Sequence, residues 1–298
     1  EPVFKAQLPE KPAPEKISYT GGCELKHSSV KVAKPRVLIP VFPGTNCEYD
    51  MANAFNRYGG DSEIFVIRNL SAKDMEDSVS EFTKLIGQSQ IIAIPGGFSG
   101  GDEPEGSAKF INAFFRNPKI KDAVESMLYS RDGLMIGICN GFQALIKLGL
   151  VPFGKIVPLT AESPTLTYNT IGRHQSQLTL TRICTNKSPW LSCCNVGDIH
   201  NIPISHGEGR FVAPEAVIKQ LIANGQVATQ YVDLNGNPTM DAAYNPNSSM
   251  YAIEGIISPD GRVLGKMGHT ERLTDNVAKN VSGNKEQLLF KGGVDYFA

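Results

Sequence analysis

The chain has 298 residues, 41% hydrophobic and 20% charged, the make-up of a globular protein with a sizeable core rather than of a disordered one. Its 29 Lys plus Arg stand against 30 Asp plus Glu, a formal net charge of −1, so the basic surplus expected for a nucleic-acid or anionic-membrane partner is missing. No apolar run approaches the roughly 18 residues of a membrane span and no signal-peptide pattern opens the chain, so we expect a cytoplasmic protein with no membrane and no nucleic-acid partner.

Residues 1–34 read as a linker or an arm lying on something else. Pro2, Pro9, Pro12 and Pro14 alternate with Lys and Glu, Gly21-Gly22 interrupts, and no period persists. The opening Glu1 is read as a cut or processed end. From Pro35 onward the pattern changes. Residues 37–42 form an apolar run of strand length, Pro43-Gly44 breaks it, and Met51, Phe55 and Tyr58 then share one helical stripe. Residues 63–67 predict a second strand. Ser71 then caps a helix whose inner face carries Met75, Val79, Phe82 and Ile86. Residues 91–94 predict a strand ending at Pro95-Gly96-Gly97, helices are expected at 107–116 and 121–129, and residues 134–138 predict a buried strand followed by a helix after Cys139. The second half is less regular, with strands expected at 178–184, 252–257 and 263–267 and one helix at 214–224.

Strands that are apolar throughout, alternating with amphipathic helices, imply a parallel sheet covered on both faces. The expected fold is α/β: one three-layer αβα domain over residues 35–298, with a mostly parallel, doubly wound sheet and a strand-rich second half. Ligands in such sheets bind beyond the carboxyl ends of the strands. The six cysteines, at 23, 47, 139, 184, 193 and 194, include no Cys-x-x-Cys pair, and reduced thiols are expected.

The most informative stretch is Gly137-Ile138-Cys139-Asn140-Gly141-Phe142-Gln143. Cys139 follows a buried strand, opens a helix and is flanked at minus two and plus two by glycine, the spacing of a nucleophile elbow with sulfur in place of oxygen. That turn presents the side chain at the carboxyl edge of the sheet. It also sets the positive end of a helix beside the sulfur and offers the Asn140 N–H to a developing oxyanion. A second oxyanion donor is expected from the bare backbone after the strand at 91–94. A phosphate loop there is disfavoured, because Asp102 stands where the lysine would be needed, with Glu103 and Glu105 just beyond, and acidic side chains repel a phosphate.

A thiol acyl-transfer enzyme needs a base. His27 lies in the arm, and His174 and His200 sit in polar, loop-like contexts expected at the surface. The other two histidines are both His-x-Glu, His206-Gly207-Glu208 and His269-Thr270-Glu271. In an extended segment residues two apart face one side, so either glutamate would orient its imidazole. Spacing does not choose between them. Context favours His269, which follows the strand predicted at 263–267.

GICNGFQ (137–143), IPGGFSGGD (94–102), PISHGEGRF (203–211), NPNSS (245–249) and GHTER (268–272), with VFPGTNCEYDMANAF (41–55), together resemble the glutaminase domain of phosphoribosylformylglycinamidine synthase, a class I, triad-type glutamine amidotransferase. The resemblance runs over about residues 35–298, with the motifs in family order. It implies a triad of Cys139, His269 and Glu271, an oxyanion hole of Gly97 and Asn140, and a glutamine site including Gln143, Phe98 and His206. It further implies no metal or organic cofactor in the glutaminase, L-glutamine as the small-molecule substrate, and a synthetase domain or subunit as partner, which holds the ATP and magnesium. The arm would fit a join to that synthetase in a single-chain form of the enzyme. One departure stands out. The family usually carries Pro-His-Pro-Glu-Arg where this chain has Gly268-His269-Thr270-Glu271-Arg272, from which we expect a less rigid loop. The competing readings are a cysteine hydrolase or peptidase on a related scaffold and a non-catalytic regulatory subunit.

Overall fold

The computed structural model describes residues 13–25, 27–99, 107–273 and 277–298. The glycine loop expected at the mouth of the site therefore lies outside the described residues from Gly100 to Gly106, together with its acidic residues.

In chain order the elements are β1 (Arg36–Val41), α1 (Glu48–Arg57), β2 (Asp61–Val66), α2 (Ala72–Ile86), β3 (Ile91–Ile94), α3 (Lys109–Phe115), α4 (Pro118–Glu125), β4 (Leu134–Ile138), α5 (Asn140–Leu148), α6 (Leu150–Phe153), β5 (Thr165–Thr167), β6 (Gln175–Ile183), β7 (Ile199–His206), β8 (Arg210–Val212), α7 (Glu215–Ala223), β9 (Val227–Val232), β10 (Ile253–Ile257), β11 (Val263–Lys266) and α8 (Leu289–Asp295). The Ser71 hydroxyl accepts the Asp74 N–H at the start of α2, as its sequence predicts. The helix expected at 121–129 begins earlier, because Asn117 caps the Lys119 N–H and Pro118 stands at the first helical position, and it ends in a wider turn over Ser126–Ser130.

Nine strands form one sheet in the order β2-β1-β3-β4-β11-β10-β9-β6-β7. Pairing is parallel from β2 across to β11 and antiparallel from there to β7. Since β10 and β6 are the reversed strands, the other seven point one way and end at a common edge. β1, β3, β4 and β11 are consecutive neighbours in that set, and β3 and β4 are buried at every position.

The order of strands reverses between β1 and β3, which opens a crevice beyond their carboxyl ends. The loops that follow these two strands are tied across it. Phe98 N–H donates to Gly44 O at 2.8 Å and Asn46 N–H to Gly96 O at 3.2 Å. Gly44, at φ +95°, has no room for a side chain: a Cβ there would lie 2.2 Å from Phe98 O. Beneath the crevice Phe42 meets Phe110 and Phe114 edge-on, with ring centroids 5.6 and 5.4 Å apart.

The described part of the arm lies on the chain's own body. Ile17 is buried, its N–H donates to Gln230 Oε1 and its carbonyl accepts from Arg182, while Tyr19 N–H donates to Cys184 O. Farther along, Ser28 and Val32 donate to Tyr296 and Phe297 beyond α8.

Candidate active site

The elbow is present where the two glycines place it. Cys139 joins β4 to α5 at φ 54° and ψ −108°, outside the left-handed helical well and strained for any residue with a side chain. A Cβ on Gly141 would lie 2.0 Å from Ile94 O, and one on Gly137 would lie 2.6 Å from Gly141 backbone. β3, β4 and the first turn of α5 thus approach so closely that neither flanking position accepts a side chain. The strain at Cys139 is the cost of that approach.

His269 lies just past β11, the neighbour of β4, and is 1% exposed. Its Nδ1 is 2.6 Å from Glu271 Oε1, and Glu271 is buried as well. The pairing is made by a turn rather than by the extended segment expected from sequence: Thr270–Arg272 forms one turn of 3₁₀ helix. Gly96 packs against both imidazole and thiol. A Cβ at this position would lie 2.7 Å from His269 Cε1 and 3.4 Å from Cys139 Cβ. Burial alone pushes the His269 imidazole down, but the Glu271 carboxylate and the Cys139 sulfur outweigh it and hold the pKa well above the ordinary value.

The second His-x-Glu pair is not a pair. His206 ends β7 fully buried, and neither ring nitrogen has a partner among the described residues. Glu208 instead accepts the Ser107 N–H. Burial, with the nearby His269 and His174, pushes His206 down to about 3, so its ring is neutral. The NPNSS segment holds the turn that follows. Asn247 donates to Gly209 O at 2.6 Å, and the Ser249 hydroxyl accepts the Phe211 N–H at 3.0 Å. Asn169, a position the sequence reading passed over, donates to His206 O at 2.9 Å and accepts the Gly209 N–H at 3.2 Å.

Cys139 opens into a cleft of about 310 Å³ that also borders Gly97, Phe98, Gln143, Arg173 and His206. All the residues expected at the glutamine site therefore face one space. Gln143 accepts from Asn140 Nδ2 at 2.8 Å and donates to Glu208 O at 2.5 Å. Asn140 Oδ1 accepts the Ser99 N–H at 3.2 Å, tying the first turn of α5 to the loop after β3. His174 is exposed, as expected, but at the rim of this cleft, 3.0 Å from Ser205 Oγ. His200 corrects the surface expectation: it is 2% exposed within β7, and burial lowers it to about 4. The loop carrying Gly268 and Thr270, expected to be less rigid, is held in the body of the fold. His269, Thr270 and Glu271 are buried, and the His269 N–H donates to Pro203 O at 2.8 Å.

Sequence reasoning gave Cys47 no place beside the imidazole. It precedes α1 fully buried, with its sulfur 3.9 Å from His269 Nδ1 and 2.8 Å from Arg272 Nη2. Cys47, His269 and Glu271 form a group of metal-type ligands among the described residues. Within this group the Arg272 guanidinium donates to the Cys47 sulfur, and the 2.6 Å bond joins His269 Nδ1 to Glu271 Oε1. All six cysteines are free.

A sheltered thiol at a βα elbow, near a carboxylate-bound imidazole just past the adjoining strand, is an arrangement suited to cysteine acyl transfer on a doubly wound scaffold. Residues 34–297 match the model of the CobB/CobQ-like glutamine amidotransferase domain, and the chain belongs to that family. Within it, the chain is similar to the phosphoribosylformylglycinamidine synthase subunit PurQ of Chlorobium chlorochromatii, 34% identical over 261 residues that cover 85% of this chain and 93% of that protein. The corresponding PurQ subunit of Trichormus variabilis is 35% identical over 265 residues, covering 85% and 94%. The solved structure of PurLQS from Thermotoga maritima includes a chain that superposes with a TM-score of 0.61 at 25% identity, over 89% of this chain and all of that one.

Proposed function

We propose that the chain hydrolyses L-glutamine to glutamate and ammonia, and supplies the ammonia to a synthetase that makes formylglycinamidine ribonucleotide in purine biosynthesis. The observation that carries this reading is the 2.6 Å His269–Glu271 bond beside the Cys139 elbow, at a cleft sized for one amino acid. Membership of the glutamine amidotransferase family and the likeness to PurQ subunits support the substrate.

In this reading the Cys139 sulfur adds to the side-chain carbonyl carbon of glutamine. The carbonyl oxygen takes the negative charge toward the backbone N–H groups of Gly97 and Asn140. The tetrahedral adduct collapses as the C–N bond breaks, and His269 gives its proton to the leaving nitrogen. An imidazole held above its ordinary pKa by Glu271 is suited to that acid role. Water, deprotonated by His269, then attacks the γ-glutamyl thioester, and the sulfur leaves as glutamate forms. Gln143, Phe98 and neutral His206 line the substrate. No metal or organic cofactor enters these steps; ATP and magnesium act in the synthetase. No helix among the described residues is long and apolar enough to cross a membrane, and we place the reaction in the cytoplasm.

Ammonia released into neutral water becomes mostly ammonium, which has no lone pair for attack, so a sheltered transfer to the synthetase is needed. The test is formylglycinamidine ribonucleotide formation by this chain mixed with a cognate synthetase, ATP and formylglycinamide ribonucleotide. Glutamine should drive the reaction with the parent chain. With Cys139→Ala, only added ammonia should do so. Glutamine-driven product with Cys139→Ala would defeat the proposal.

A further inference from the structure

The loop that carries His269 stands on a buried charged pair that the chemistry itself does not use. Lys266 ends β11 and Glu254 lies in β10. Both are 1% exposed, with Nζ 3.4 Å from Oε1. Taking two charges out of water is costly, so such a pair is weak evidence for stability and asks for another reason.

The reason lies in where their polar atoms point. Lys266 Nζ donates to Gly268 O at 2.9 Å and to the Thr270 hydroxyl at 2.9 Å. Glu254 Oε1 accepts the Gly268 N–H at 2.6 Å, and its other oxygen accepts from Thr229. Thr270 then donates to Gln287 Oε1 at 2.9 Å. Both backbone polar groups of the residue before His269, and the side chain of the residue after it, are fixed by one ion pair. Gly268 is part of the fit: a Cβ there would lie 2.8 Å from Ile202 Cγ2 and 2.9 Å from Glu254 Oε1. A proline at 268 would lack the N–H that Glu254 accepts, and a proline at 270 would lack the hydroxyl. The departures noted in the sequence thus belong with the lysine and glutamate beneath them.

We infer that Lys266, Glu254 and Thr270 are positioning residues, a buried clamp that sets the His269 imidazole against Cys139. The inference rests on the reading of His269 as the catalytic acid and base. Displacing a catalytic group by about 1 Å costs on the order of 100-fold in rate, so a clamp that governs placement is read in kcat.

Lys266→Met leaves Glu254 buried without its partner and is prone to unfold, so the threonine carries the test. Thr270→Val keeps the shape and removes the hydroxyl, whereas Thr270→Ser keeps the hydroxyl. Glutaminase kinetics are measured on the full chain, with active sites counted by labelling to completion with a diazo-ketone glutamine analogue. Thr270→Val should lose kcat per labelled site by about 10- to 100-fold with KM for glutamine within about twofold, and Thr270→Ser should recover most of the loss. A merely structural role would lower the melting temperature and the number of labelled sites but leave kcat per site at the parent value, and that result overturns the clamp. His269→Ala is run alongside. If it is inactive while Thr270→Val matches the parent, the clamp alone fails; if it stays active, the reading of His269 fails.

Discussion

Replacing Cys139 by glycine and by alanine removes the sulfur in both cases but treats the backbone differently. At φ 54° and ψ −108°, Cys139 holds a conformation that costs a residue with a Cβ about 1–3 kcal/mol. Alanine keeps that strain and glycine escapes it. Glycine is the freer residue in the unfolded chain, which offsets about 0.5–1 kcal/mol of the gain. The balance leaves Cys139→Gly more stable than Cys139→Ala by about 1 kcal/mol, the reverse of the order found at ordinary positions. The contact from the Cys139 sulfur to Ser205 O at 3.6 Å is lost equally and cancels. With a urea slope of about 3 kcal/mol/M, the two midpoints should differ by about 0.3 M, glycine higher. An alanine midpoint equal to or above that of glycine would show that the elbow stores no such strain.

His269→Ala should abolish thioester formation, and Glu271→Gln should slow glutamine turnover by about 10²–10⁴ through misorienting the imidazole; a dead His206→Ala beside a nearly normal His269→Ala would reverse the choice of base. Gly96→Ala places a methyl 2.7 Å from His269 Cε1 and 3.1 Å from Cys47 Sγ, so kcat should fall by about tenfold or more while the chain stays folded, and unchanged kinetics would put the imidazole elsewhere. Acid should destabilise the chain through its buried histidines. His206 and His200 are lowered to about 3 and about 4, below an unfolded value of about 6.5, so the unfolded chain takes up their protons first. Stability then falls as pH drops from about 6.5 toward about 4, by roughly 1.4 kcal/mol per unit for each histidine, and His206→Gln should flatten the slope by one proton; an unaltered slope would contradict the burial argument.

Most of the parallel half of the sheet was legible because β1, β3 and β4 are short, largely apolar runs with glycine or proline close behind, and because α1 and α2 show their inner faces at helical spacing. The elbow was legible for a sharper reason: two glycines and a cysteine at fixed offsets meet a backbone demand that few other residues satisfy. The strands β7 and β9 were missed. The polar residues His200, Asn201, Ser205, Thr229 and Gln230 interrupt their apolar pattern, and the last four find tertiary partners that no local window reveals. Spacing left His206 and His269 open, while strand context and the family resemblance pointed to His269; the fold adds that Glu271 reaches its imidazole and Glu208 turns to Ser107 instead. Lys266 and Glu254 did leave a signal, each being a charge set inside an otherwise apolar strand, yet only β10 and β11 lying side by side shows that the two charges meet. The place of Cys47 beside His269 depends on the β1 and β3 loops being tied together, a contact between residues about fifty apart.

The most direct measurement is the site of covalent labelling by a diazo-ketone glutamine analogue, read by peptide mass spectrometry on the full chain. A glutaminase working through the elbow predicts one label per chain, on Cys139, prevented by glutamine and absent from Cys139→Ala. Labelling of Cys47 instead, or a label on Cys139 that glutamine does not prevent, would contradict the account.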